Sequence, residues 1–451
     1  MPLMRDNRRQ MKWADMRPRR GGSMCAFERL ETRSLLTAAP SDASFPSQYA
    51  LANTDALDAW DITAGSAAVT IAQIDTGVDY THPDLFKNIW INQAEIPASI
   101  KSKIKDVDKD HRITFYDLNR SQNRSVTTDV NKNGYIDAGD LLAPLSKGGW
   151  EDGVNGKSNA NDKYTDDIIG WDFAENDNDP FDDRGNDGHG THTAGIIGAQ
   201  GNNSIGISGV VQKTSILPIR IFRDNGDAPG DSTIAAAIRY GADNGAKVSN
   251  NSWGSNSGRD GDQLYNAIKY AGAKGQVFVA AAGNDSRNLD GHGSDFPAEY
   301  SLDNIISVAA TDSSGRLASY SDYGSTEVDI AAPGDNVLST LPGGKYGRMS
   351  GTSMATPMVA GTVALMLSAD KTLSVSQIKQ RLLDAANESV TLNNRTVSDG
   401  QLNIYNAVAG KTGIDVPDNA GTPISGGRSG GGWWRWRSVH AAAHLFLSEL
   451  A

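Results

Sequence analysis

Short apolar runs, each bounded by polar or glycine-rich stretches, recur between residues 43 and 410. Residues 69–74, 216–222, 248–252, 277–281 and 305–309 have strand length and strand composition. Between them, residues 189–197, 232–244, 263–274, 356–368 and 374–386 have helical patterning. Strands alternating with helices predict an α/β domain with a mostly parallel sheet covered on both faces. The pattern assigns residues 1–42 to a leader, 43–410 to one domain with an insertion at about 95–165, 411–432 to a flexible linker and 433–451 to a short tail. The linker is predicted from its Gly, Ser and Pro content. No long internal repeat is apparent.

Composition narrows the function. A net charge of −12 argues against nucleic acid as a partner. Much of the acid lies between Asp106 and Asp187, which suggests bound cations. A single cysteine, Cys25, leaves no internal disulfide. No apolar run approaches membrane-spanning length.

Ser353 stands in Gly351-Thr352-Ser353-Met354-Ala355-Thr356-Pro357, directly before an apolar run. That puts a hydroxyl at a helix N-terminus, where unpaired N–H groups favour developing negative charge. A serine needs a base to become nucleophilic, and the base needs an orienting carboxylate. Asp75 ends the run at 69–74 and precedes Thr76-Gly77. His189 lies in Asp187-Gly188-His189-Gly190-Thr191-His192, at the start of a helical stretch. His192, three residues on, suits a packed helix position better than the base, and no third ligand motif accompanies it to make a zinc site.

These three segments, in the order Asp, His, Ser, resemble the subtilisin-like (subtilase) serine peptidase family. The resemblance implies a subtilisin-like three-layer α/β fold and endopeptidase activity on protein or peptide substrates, in a monomer. It implies Asp75 as orienter, His189 as general base and Ser353 as nucleophile. In Val277-Phe-Val-Ala-Ala-Ala-Gly-Asn284, Asn284 matches the residue whose amide binds the oxyanion; its alternative is a plain turn residue. Asn251-Ser252-Trp253-Gly254 matches the strand that pairs with extended substrate. Trp253 is then either a pocket wall or a packed aromatic. Asp295, before Phe296-Pro297-Ala298-Glu299-Tyr300, falls at the floor of the specificity pocket. There it would favour Lys or Arg, unless it simply faces solvent.

Asp75 and His189 are 114 residues apart, and the intervening chain holds two calcium-loop patterns. In one, Asp129, Asn131, Asn133, Asp137 and Asp140 occupy EF-hand ligand positions, with Gly134 at the sharp turn. In the other, Asp106, Asp108, Asp110 and Asp117 do so, with His111 in place of the glycine. Asp84 and Asn203 match calcium ligands of the resembled family. The expected cofactor is therefore Ca2+.

The segment Phe27-Glu-Arg-Leu-Glu-Thr-Arg-Ser-Leu-Leu36 resembles the start of many planctomycete surface proteins, which suggests a cell-surface or extracellular location. Pro40 leads almost directly into the domain, which leaves no room for a folding propeptide. A second class of function stays open: a catalytically silent, calcium-loaded surface protein on a peptidase scaffold.

Overall fold

A computed structural model describes residues 39–153, 163–182, 188–223, 225–227, 229–291 and 295–413. The leader motif, the Gly-rich stretch and the tail lie outside the described residues. The central sheet has nine strands in the order β10-β11-β7-β6-β5-β4-β1-β3-β2. Its strands are β1 (Gly65–Asp75), β2 (Trp171–Asp172), β3 (Lys213–Arg220), β4 (Val248–Asn251), β5 (Val277–Ala281), β6 (Ile305–Thr311), β7 (Ile330–Pro333), β10 (Asn387–Glu388) and β11 (Gly400–Gln401). All pairings are parallel except that of β10 with β11. A separate antiparallel hairpin joins β8 (Val337–Leu341) to β9 (Lys345–Met349).

Successive side chains of a strand face opposite sides of its sheet. Ile71, Val277, Val279, Ile306 and Val308 therefore face one core, whereas Ala72, Ile74, Phe278 and Ala280 face the other. The first core is closed by α1 (His189–Gly198), α4 (Thr352–Ala369) and α5 (Val375–Ala385). The second is closed by α2 (Asp231–Asp243) and α3 (Gln263–Ala273). Helix starts follow local chemistry. Ser374 and Gln377 form a capping box at α5, and Asp262 accepts from the Tyr265 N–H at α3. The insertion adds Phe115, Leu118, Ile136, Leu141 and Trp150 to the first core.

α4 starts at Thr352 rather than residue 356. Pro357 lies inside the helix. Proline has no N–H to offer the carbonyl four residues back, which is that of Ser353. The Ser252 hydroxyl donates to that carbonyl instead, at 2.9 Å. α4 is also long and apolar enough to span a membrane, at 18 residues, but 83% of it is buried inside the fold.

α4 packs through close fitting of apolar side chains, so truncation at its centre should be costly. Leu365 is 0% exposed. Leu365→Ala should destabilise the protein by about 2–5 kcal/mol, measured by urea unfolding.

Candidate active site

The candidate residues gather at the carboxyl ends of the parallel strands, where open α/β sheets bind ligands. Asp75 is the last residue of β1, and His189 opens α1. Ser252 leaves β4, Asn284 follows β5, and Ser353 lies in the first turn of α4.

Asp75 is 1% exposed. Its Oδ1 accepts from His189 Nδ1 at 2.7 Å and from the Thr76 N–H at 2.8 Å. Its Oδ2 accepts longer bonds from Gln73 and Thr193, both at 3.4 Å. Donating Nδ1–H to the carboxylate fixes the imidazole tautomer and leaves Nε2 as the basic nitrogen. The His189 side chain keeps 16% exposure, so the ring is open on one side. α1 comes this close only because residue 190 is glycine. A Cβ there would fall 2.1 Å from the Gly77 carbonyl oxygen.

Beneath this contact lies Asp182, fully buried. It accepts from the Thr191 N–H (3.0 Å), the Thr191 hydroxyl (2.6 Å) and the Thr76 hydroxyl (3.1 Å). Burial, opposed by the Thr191 donors and reinforced by Asp75, pushes its carboxyl up to about 7. His192 is buried too. Burial, then the nearby His189, pushes its imidazole down to about 3. It stays neutral and shares a hydrogen bond with the Gly347 carbonyl at 3.2 Å, as a packed helix residue.

Ser353 and Ser252 are reciprocally bonded. The Ser353 hydroxyl donates to the Ser252 carbonyl at 3.2 Å, and the Ser252 hydroxyl returns the bond. Asn284 Oδ1 accepts from the Thr352 N–H (2.9 Å) and hydroxyl (3.2 Å). That engages the oxygen end of the amide and leaves Nδ2 as its donor end. Trp253 is 7% exposed, meets Phe278 edge-on and donates to the Ile74 carbonyl at 3.0 Å. Of its two readings, the packed aromatic describes these contacts. Gly254 then leads to Ser255, which bridges Phe296.

Asp295 is neither a solvent-facing acid nor an open pocket floor. It is 1% exposed and pairs with Arg287 at 2.7 Å. Burial outweighs Arg287 and pushes its carboxyl up to about 8. The charge that was expected to meet a substrate is thus already met from within. Arg287, eight residues earlier and across a loop, gives no sequence signal of that pairing.

Residues 66–407 match the sequence profile of the Subtilase family. The chain belongs to that family. It is 36% identical over 361 residues to a thermophilic serine proteinase of Bacillus sp. strain AK1, covering 80% of this chain and 67% of that protein. It is 42% identical over 241 residues to thermitase of Thermoactinomyces vulgaris, covering 53% of this chain and 81% of thermitase. Its fold matches a protease of Pseudoalteromonas arctica PAMC 21717 with a TM-score of 0.55 and 26% identity, covering 82% of this chain and 99% of that one.

In this subtilase the two acidic loops of the insertion prove to be copies of one unit. Each position of the second loop lies 23 residues after its counterpart in the first: Asp106 and Asp129, Asp108 and Asn131, Asp110 and Asn133, Asp117 and Asp140. Backbone geometry repeats with them. Lys109 and Lys132 have φ of 61° and 63°, and His111 adopts 67° where Gly134 has 96°. Each loop runs into a one-turn helix with a capping box, Thr114 with Asp117 and Asp137 with Asp140.

Ligand atoms of Asp106, Asp108 and Asp117 lie within 4.8 Å of one another. Asp110 is not in that group; Lys213 pairs with Asp108 at 3.0 Å and with Asp110 at 3.9 Å. In the second loop, the Asn131 and Asn133 amides donate to Asp137 at 3.1 and 2.5 Å. Asp84 accepts from Asn203 Nδ2 at 2.6 Å, and burial pushes its carboxyl up to about 6. Asp42, which composition places at the leader's end, accepts from the Asn202 and Asn203 N–H groups, both at 2.9 Å.

Asp182 has a folded pKa above its unfolded one, so the folded state holds the extra proton. The stability it contributes is present in acid and is lost as pH rises toward about 7. Asp182→Asn carries no such charge. Its stability relative to the parent should therefore rise between about pH 5 and pH 8, read from urea midpoints along a pH series.

Proposed function

We propose that this subtilase is a serine endopeptidase that works through an Asp75–His189–Ser353 triad and an acyl-enzyme intermediate. The 2.7 Å bond from His189 to Asp75 carries the reading. A silent scaffold has no need of a base held in one tautomer beside a serine-bearing helix.

His189 Nε2 takes the Ser353 hydroxyl proton as Oγ attacks the substrate carbonyl carbon. For this the hydroxyl turns from the Ser252 carbonyl, its resting partner, toward the imidazole; such contacts tighten when substrate binds. Negative charge then collects on the former carbonyl oxygen. Asn284 Nδ2 and the N-terminus of α4 supply positive potential there. Collapse expels the amine, which leaves with the proton from His189. Water repeats the sequence to free the acid. Ser252, Trp253 and Gly254 offer backbone for an extended peptide of varied sequence. The family and the leader motif favour action outside the cell or at its surface.

The insertion loops offer only oxygen ligands, the chemistry of a hard cation such as Ca2+. Asp106, Asp108, Asp110 and Asp117 would hold one ion, Asp129, Asn131, Asn133, Asp137 and Asp140 a second, and Asp84 with Asn203 and Asp42 a third. Bound calcium would neutralise clustered carboxylates and cross-link their segments.

Ser353→Ala should lower turnover by about 10⁶ with the fold intact, as judged by peptide hydrolysis and circular dichroism. Near-parental hydrolysis would refute the triad. Chelation should lower the melting temperature, because a ligand at a hundredfold excess over Kd contributes about 2.7 kcal/mol. Absence of calcium uptake by the chelated protein in isothermal titration would rule the loops out. Asp129→Ala and Asp106→Ala should each remove one step of that uptake.

A further inference from the structure

The turn that carries Asn284 is gripped by a residue from a distant segment. Asp322 is 0% exposed. Its N–H donates to the Gly283 carbonyl at 3.0 Å. Its Oδ1 accepts from the N–H groups of Asp285 at 2.9 Å and Arg287 at 2.6 Å. One residue thus holds the chain on both sides of Asn284. From the opposite direction, Thr352 binds Asn284 Oδ1 and accepts from the Gly283 N–H at 3.3 Å.

The approach is as close as atoms allow. Gly283 has φ of 117°, and a Cβ there would fall 2.2 Å from Asp322 Oδ2. Among the described residues that oxygen is buried without a hydrogen-bond partner, and Arg287 Nη2 stands 3.8 Å from it. Arg287 itself is bound more tightly to Asp285 and Asp295, at 2.8 and 2.7 Å. A buried carboxylate oxygen without a partner costs stability. An apolar residue in its place would avoid that cost, but it could not accept two backbone N–H groups.

We propose that Asp322 is a positioning residue for the Asn284 amide. The inference rests on the oxyanion role assigned to Asn284 above. A fixed donor stabilises the transition state only if it already points at the place where the charge develops. Two bonds from one carboxylate onto the Asp285–Arg287 turn, with Thr352 holding the other end of the amide, set that direction. Misplacing a reacting or stabilising group by about 1 Å can cost about a hundredfold in rate.

The test is a double-mutant cycle on the full chain, with kcat and KM measured well below the melting temperature. Asn284→Ala should lower kcat about 10²–10³-fold. Asp322→Ala should lower kcat about 10–100-fold with KM nearly unchanged. Asp322→Asn, which keeps an acceptor, should recover most of that loss. The double variant should be no slower than Asn284→Ala alone, because the two residues act through one group. If the losses multiply, or if Asp322→Ala leaves kcat intact while Asn284→Ala does not, the positioning role is overturned and the Asn284 assignment survives. If Asn284→Ala leaves kcat unchanged, both fall. Should the alanine variant fail to fold, Asp322→Ser, with one smaller acceptor, carries the same cycle.

Discussion

The burial of α4 governs the rest of the molecule. Every residue from Thr352 through Leu367 is buried, so the helix has no solvent face along that length. It can slide or rotate only by opening the core. Interiors packed at crystal-like density resist such shifts. Its N-terminus is therefore a fixed point, and neighbouring groups are set from it. Thr352 fixes Asn284, and Ser353 exchanges hydrogen bonds with Ser252. The proline that weakens the first turn also opens the carbonyl that ties the helix to β4.

Buried acid is the second organising theme, and each carboxylate meets the cost differently. Asp75 relies on His189 and several neutral donors. Asp182 relies on threonines of the helix and of the loop after β1. Asp295 depends on Arg287, and Asp322 on backbone N–H groups. Donors within a local fold are available wherever the chain can turn, whereas a cation must arrive from elsewhere. The insertion follows the first course, with loops whose backbone donates to their own aspartates.

The sheet was legible because its strands are buried on both faces and read as continuous apolar runs. The same holds for 277–281, which matched to the residue. Two-residue strands such as β2 and β10 carry no such period and were invisible. Asp75, His189 and Ser353 stood out because each ends or opens an element with small neighbours around it. Asp182, Arg287 and Asp322 did not. Their meaning lies in which backbone groups they face, and that depends on contacts between distant segments. Asp42 was missed for a simpler reason. Composition cannot separate the last residues of a leader from the first that touch the domain, and Asp42 is 2% exposed against the 202–203 turn.

The reciprocal bond between Ser252 and Ser353 joins residues 101 apart in sequence, and the Asp75–His189 contact spans 114. Contacts of such separation close late, because the entropy of closing the loop precedes any reward. An unfinished chain can hold all three side chains of the candidate triad and still lack any fixed distance between them. On the proposed reading, hydrolytic power is a property of the completed sheet. Such a chain would gain its power to cut peptides only when the strands that carry these residues have found their places.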